Sequence, residues 1–163
     1  ACWHPEYMAR LEPLLQAGQR LDANLLEVAC RRGSPEFEAV EAILKGPEVE
    51  LPNGITFRQG VQVRREARTR WWDAGAVTYR QSAIVDEKTQ RLLPDTPIPE
   101  ALRFGYDADK PVLVGHYWMR GTPEVLAPRV ACVDYSAGRG EPLVAYRWDG
   151  ETELDSGRFV AAR

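Results

Sequence analysis

Three stretches of the sequence combine residue types that could do chemistry. The first is Val112-Leu113-Val114-Gly115-His116-Tyr117-Trp118, where a histidine follows an apolar run and a glycine. A neutral imidazole is a good ligand for divalent transition metals. A histidine directly after a strand lies at the carboxyl end of that strand, where open α/β sheets put their ligand sites. Gly115 would let the backbone turn and approach closely. A lone histidine at such a position is more often packed or hydrogen-bonded than metal-bound. The second stretch is Arg64-Arg65-Glu66-Ala67-Arg68-Thr69-Arg70-Trp71-Trp72. Arginine forks around phosphate oxygens, which makes Arg64, Arg68 and Arg70 candidates for a phosphate group. The plainer reading is a solvated face locally paired to Glu66. Cations beside stacking rings also suit single-stranded nucleic acid. The third is Cys2 and His4, two residues apart and so on one side of an extended strand, as a thiol nucleophile and its base would be. No third group that would orient the base is apparent.

Other chemistries are excluded by what the sequence lacks. There is no G-x-x-x-x-G-K-[ST] phosphate loop, no H-E-x-x-H and no G-x-S-x-G. A cysteine phosphatase needs an arginine six residues after its nucleophile, and Met8, Glu36 and Gly138 stand there after Cys2, Cys30 and Cys132. The only G-x-G, Gly138-Arg139-Gly140, lacks the downstream glycine and helix of a dinucleotide site. Two histidines in all, His4 and His116, cannot build a histidine-rich metal cage. The 163 residues carry 24 acidic and 21 basic side chains, a formal charge of −3, which argues against an electrostatic nucleic-acid binder. No run approaches the ~20 apolar residues of a membrane span, and no signal peptide is visible. Three cysteines with no C-x-x-C pair read as reduced thiols of a cytoplasmic protein.

The elements that must position these residues change along the chain. Residues 1–46 read as helical. Tyr7, Met8, Leu11, Leu14 and Leu15 share a helical face between Pro5 and Gly18. Asp22 is the expected cap of a second helix, with Leu25, Leu26 and Ala29 inward and a stop at Gly33. Ser34-Pro35-Glu36 opens a third, with Phe37, Val40, Ile43 and Leu44 as its stripe and Lys45-Gly46-Pro47 as its stop. Residues 47–110 are irregular, with a turn at Pro52-Asn53-Gly54, a short strand at Val61-Gln62-Val63, and an extended connector over Leu92 to Pro99. Residues 111–163 are strand-rich: Pro111 to Gly115, Val130 to Asp134 and Leu143 to Trp148 read as strands, the last followed by the Asp149-Gly150 turn signal. Helices first and a mixed sheet afterwards indicate an α/β chain.

Gly115-His116 after an apolar strand, then Val130-Ala131-Cys132-Val133-Asp134-Tyr135-Ser136, a glycine loop and Leu143-Val144-Ala145-Tyr146-Arg147-Trp148, resembles the C-terminal half of a calcineurin-like metallophosphoesterase. The likeness is greatest to the bacterial branch of symmetrical diadenosine tetraphosphatases and serine/threonine phosphatases. Lys45-Gly46-Pro47-Glu48 and Arg70-Trp71-Trp72 are similar to segments of bacterial members of that superfamily. The resemblance spans nearly all of this chain, as the C-terminal portion of a single metallophosphoesterase domain, but only about half of a family member. The family's Gly-Asp-x-His, Gly-Asp-x-x-Asp and Gly-Asn-His-Glu/Asp elements are absent here. The chain opens Ala1-Cys2-Trp3 without Met, and the family's strand-end histidine would be expected just before Ala1; the expectation is a fragment or trimmed domain with most ligands upstream.

The resemblance implies a layered α/β/β/α sandwich and direct hydrolysis of a phosphoric ester. Two divalent ions (manganese, iron, zinc or magnesium) would activate a bridging hydroxide for in-line attack. His116 would be a ligand of one ion. His4, Gly115, Tyr117 and Asp134 would lie beside the ligands and support them, and one of Arg64, Arg68 and Arg70 would bind substrate phosphate. Asp134 and Ser136 equally suit plain turn chemistry, and Tyr117 and Trp118 are either core aromatics or a wall for a nucleotide base. The partners expected are a phosphate-ester substrate and the rest of the domain, with no membrane; nucleic acid is disfavoured. The rivals are a non-catalytic module holding nucleic acid or nucleotide through Arg64–Trp72, a thiol enzyme built on Cys2 and His4, and a non-catalytic remnant.

Overall fold

Ser34 marks the clearest boundary in the chain, and its local chemistry shows why. Its backbone is extended (φ −82°, ψ 149°), and its Oγ accepts a hydrogen bond from the Phe37 N–H at 3.1 Å. Pro35 fills the first helical position, where a missing N–H costs nothing. Glu36 and Glu38 sit in the first turn and Lys45 in the last, matching both ends of the helix dipole. Gly46, at φ 83°, ends the helix. The computed structural model that places these residues describes 23–103 and 105–162. The chain is of α/β class, with short helices and, among the described residues, four small mixed or antiparallel sheets. It forms two compact units that divide between Phe104 and Gly105, so that the helical segment and the Arg/Trp segment share the first unit.

In the first unit α1 (Ala23–Cys30) packs against α2 (Pro35–Lys45). The expected cap Asp22, and the helix expected between Pro5 and Gly18, lie outside the described residues. The buried stripe of α2 centres on Ala39 and Ala42, with Val40 and Ile43 half-buried, whereas Leu44 is exposed. Leu44 follows Ala42 by two residues and so points roughly 200° away from it around the helix. Leu26 of α1, expected inward, is also exposed.

Gly46-Pro47 leads into β1 (Glu48–Glu50), which pairs antiparallel with β4 (Glu66–Arg68). Alternation buries Val49 against Ala67 and turns Glu48 and Glu50 outward. The hairpin β2 (Phe57–Gln59) and β3 (Gln62–Arg64) lies between them and turns at Gly60, φ 64°. The strand expected at residues 61–63 therefore begins one residue later, and Val61 is 95% exposed at the turn. Leu51, Ala67, Ala83 and Leu93 form one core cluster, covered by Ile55, Phe57, Tyr79 and Val85.

Past β4 the chain is bound from both sides. Buried Thr69 donates through its N–H and Oγ1 to the Pro47 carbonyl at 3.0 and 3.3 Å, and the Arg70 N–H reaches the Ser82 carbonyl at 2.8 Å. Trp71 and Trp72 follow, both buried and edge-to-face at 5.5 Å. Two short helices continue the unit. Thr78 caps α3 (Tyr79–Ser82) reciprocally with Gln81, and Asp86 caps α4 (Glu87–Leu92). The Thr89 hydroxyl and N–H on Asp86 hold that carboxyl below its usual range. Leu92 closes α4, and beyond it the chain bends at Leu93, Asp95 and Thr96 before bridging Thr78 at Pro97, so the connector expected over Leu92 to Pro99 is bent rather than extended throughout.

In the second unit β5 (Val112–Val114) lies parallel to β7 (Val130–Cys132), and β6 (Val125–Ala127) lies antiparallel on the other side of β7. The central strand β7 is wholly buried. The edge strand β5 is not, although its sequence reads as a buried run: Leu113 is 44% exposed. A separate ribbon pairs β8 (Leu143–Tyr146) with β9 (Phe159–Ala162). The long connection between them is held by polar groups. Tyr146 donates to Glu151 Oε1 at 2.9 Å and accepts from the Asp155 N–H, while Arg158 bridges Asp149 and Glu151. Desolvation pushes the Glu151 carboxyl up, but the N–H groups of Glu151 and Asp149, the Tyr146 hydroxyl and Arg158 outweigh it and hold it below its usual range.

Trp71 is the largest fully buried side chain among the described residues, at 1% exposure. Trp71→Ala is expected to lower unfolding stability by ~3–5 kcal/mol, whereas Arg70→Ala on the neighbouring exposed position changes it by less than ~0.5 kcal/mol. Urea denaturation followed by circular dichroism compares the two.

Candidate functional site

The parallel pair β5 and β7 builds the site. Val112, Leu113 and Val114 stand opposite Val130, Ala131 and Cys132, and the Val133 N–H reaches the Val114 carbonyl at 2.9 Å. Parallel strands in this register end at the same edge. His116 lies two residues past the end of one and Asp134 two residues past the end of the other. The sequence reading of His116 as a strand-end histidine therefore holds, and the structure brings Asp134 to the same edge.

The two loops are tied to each other. The Met119 N–H donates to the Asp134 carbonyl at 2.9 Å, and the Ser136 hydroxyl donates to the Met119 carbonyl at 3.3 Å. Within the second loop, the Ser136 N–H closes on Asp134 Oδ1 at 3.1 Å, an Asx turn. Three non-glycine residues here have left-handed backbones: His116 at φ 71°, Trp118 at φ 49° and Ser136 at φ 65°. Each costs of order 1–3 kcal/mol, and such residues gather at functional sites. The turn expected of Gly115 thus falls on His116. A Cβ at position 115 would meet the Asp134 Cβ at 3.8 Å, an ordinary contact, so no close approach demands glycine there.

His116 is exposed, and its ring lies 6.0 Å from the half-buried Trp118 ring at 60°. The Arg139 guanidinium sits 4.0 Å from the centre of that Trp118 ring. Tyr117 points inward and is buried. Tyr135 is buried too, its hydroxyl accepting from the Glu124 N–H at 3.1 Å and its ring edge-on to Phe159. Burial pushes the Cys132 thiol up, and the charge of Asp134 adds to this. Contacts with the backbone at Asp134 and Tyr117 oppose it.

The arginines of the first unit are engaged differently from the sequence reading. Glu48, not Glu66, is their carboxylate: it stands 3.6 Å from Arg64 Nη2 and 3.9 Å from Arg68 Nε. The strand register explains this, because β1 sets Glu48 opposite Arg68 and Glu66 opposite Glu50. Arg70 is exposed, and its backbone is tied to Ser82. Trp71 and Trp72 are both buried, so neither ring is offered to a base. Glu48 also lines an open hollow of about 470 Å³ with Glu50, Tyr79 and Leu102. In the second unit a hollow of about 530 Å³ is lined by Ala137, Gly140, Glu141, Pro142, Leu143 and Ala162. Cys2 and His4 lie outside the described residues.

Among the described residues no group of three or more His, Cys, Asp and Glu side chains could hold a metal ion. Nor is any described helix long and apolar enough to cross a membrane. Two features escaped the sequence reading. One is Arg139, for which an arginine between two glycines, Gly138-Arg139-Gly140, is the available signal. The other is the Met119 backbone, which no side-chain pattern reports. No family model, no curated protein and no solved structure matches the chain.

Cys132 has a native pKa above its unfolded value, so its contribution to stability is full below about pH 8.5 and declines as pH rises beyond it. Thermal melts from pH 7 to 9.5 should show this decline, and Cys132→Ala should flatten it. Peptide mapping after brief maleimide treatment should find exposed Cys30 modified and Cys132 protected.

Proposed function

We propose that the chain is part of a metal-dependent phosphoric-ester hydrolase of the calcineurin-like metallophosphoesterase type, with His116 as a ligand of one metal ion. The observation that carries this reading is an exposed imidazole at the carboxyl end of a parallel strand, on a left-handed backbone, beside a second strand end bearing Asp134. An unstrained surface histidine would need neither the backbone conformation nor the cross-tied loops. The finer fold belonging to this reading is the layered α/β/β/α sandwich, of which the sheet β5–β7–β6 would be part.

One imidazole and one nearby carboxylate do not fit a two-ion centre by themselves. In this reading the remaining ligands come from outside the described residues, and the ions (manganese, iron, zinc or magnesium) bind only in the completed site. This chain contributes an exposed imidazole on a left-handed backbone, 6.0 Å from the Trp118 ring. Asp134 supports it by closing the Asx turn and accepting the Met119 N–H. Arg64 and Arg68, held near Glu48, and exposed Arg70 remain candidates for substrate phosphate, Arg70 being the least engaged of the three by carboxylates. The nucleic-acid reading of Arg64–Trp72 needs exposed rings, and burial of both tryptophans counts against it.

The test is hydrolysis of p-nitrophenyl phosphate by the complete protein, with and without Mn²⁺. His116→Ala should abolish Mn²⁺-dependent turnover while leaving the melting temperature within a few degrees. In the complete protein, Mn²⁺ should selectively broaden the His116 ring resonances. Full turnover in His116→Ala overturns the proposal.

A further inference from the structure

The pairing of Arg139 with Trp118 is a contact without an evident structural need. A cation 4.0 Å from the centre of an indole ring is well within cation–π range. Arg158, Arg80, Arg64 and Arg68 are all near carboxylates. Arg139 is not: among the described residues its guanidinium makes no hydrogen bond and no ion pair. It is therefore held in place without being neutralised, and its five N–H donors are available.

The backbone beneath it is fixed. The turn Ala137–Arg139 is closed by Arg139 N–H to Ser136 carbonyl at 2.8 Å and Gly140 N–H to Ala137 carbonyl at 3.1 Å. It is bracketed by left-handed Ser136 and Gly140, at φ 65° and 87°. Ser136 is buried and bonded to Met119 on the loop that carries Trp118. The ring and the cation thus arrive together from two tied loops. A long arginine side chain normally loses much rotamer freedom when it captures a ligand; one already resting on a ring loses less. His116 flanks the same ring at 6.0 Å.

We infer that Arg139, seated on Trp118 beside His116, is an anion-binding group that takes a phosphoryl dianion through its guanidinium fork. The planar fork matches two phosphoryl oxygens at once. Trp118 acts as a positioning residue that keeps the fork beside the imidazole. The identity of the anion as phosphoryl rests on the phosphoesterase reading; the existence of an anion site does not.

The probe is inorganic phosphate, titrated at constant ionic strength into the 163-residue chain and followed through the arginine Nε and tryptophan Nε1 NMR signals. Variants Arg139→Lys and Trp118→Phe assign the two signals. Saturable shifts of both are expected. Arg139→Ala should weaken phosphate about tenfold or more, and Arg139→Lys several-fold, because charge remains while the fork is lost. Arg91→Ala, on an exposed helix of the first unit, should leave binding unchanged. Arg139 is exposed on a turn, so unchanged melting should accompany these effects. Equal affinity in Arg139→Ala and the parent chain, or shifts that chloride reproduces, overturns the inference. In the complete protein, Arg139→Ala should raise KM for a phosphate ester with a smaller change in kcat. An unchanged KM overturns this inference and leaves the phosphoesterase reading standing. Phosphate binding through Arg139 without any Mn²⁺-dependent hydrolysis supports it and removes that reading.

Discussion

Everything of chemical interest in the second unit depends on the parallel pairing of β5 with β7. The pairing is short, three residues on each strand, yet it fixes which loops meet. An antiparallel arrangement would have sent His116 and Asp134 to opposite ends of the sheet. The parallel one delivers both to the same edge, and β6, lying antiparallel on the far side of β7, buries the central strand completely. The loops then add what the strands cannot. The Met119 N–H on the Asp134 carbonyl and the Ser136 hydroxyl on the Met119 carbonyl turn two neighbouring loops into one constrained surface.

In the first unit, charges and rings of a kind that ligands use also serve the fold. The register of β1 on β4 sets Glu48 beside Arg64 and Arg68. Thr69 bonds back to Pro47, and the chain carries Trp71 and Trp72 directly into the interior. The Arg-rich run therefore spans the end of β3 and the whole of β4, and its two tryptophans enter the interior. The partly exposed Arg64–Glu48 pair contributes little by itself, and the buried rings carry more of the weight.

What the sequence revealed depended on whether local physics decided the matter. Ser34-Pro35 and Lys45-Gly46 set the limits of α2 because caps act over a few residues. Val112 to Val114 and Val130 to Cys132 were legible as strands from their β-branched, apolar character. The existence of β6 and β9 was not, because Val125-Leu126-Ala127 follows a proline-containing loop and Phe159 to Ala162 lies near a terminus, with only tertiary pairing to specify them. Glu48 as the partner of the arginines was hidden for the same reason: it lies 16 residues before Arg64 and meets it only through strand register. His116 is legible from its place after a strand, but its left-handed backbone and the company of Arg139 are set by loops that meet only in the folded chain. Leu44 and Leu26 show the limit of helical periodicity, which identifies a face but not how much of it is covered.

The backbone at His116 has a consequence for how this position can change over generations. At φ 71° a glycine would relax a conformation that an imidazole-bearing residue strains. Folding free energy and the imidazole therefore pull in opposite directions at this one site. Random substitution followed by selection for stability alone would drift toward glycine or asparagine and lose the ring. Histidine here is the costlier occupant of the backbone that it adopts.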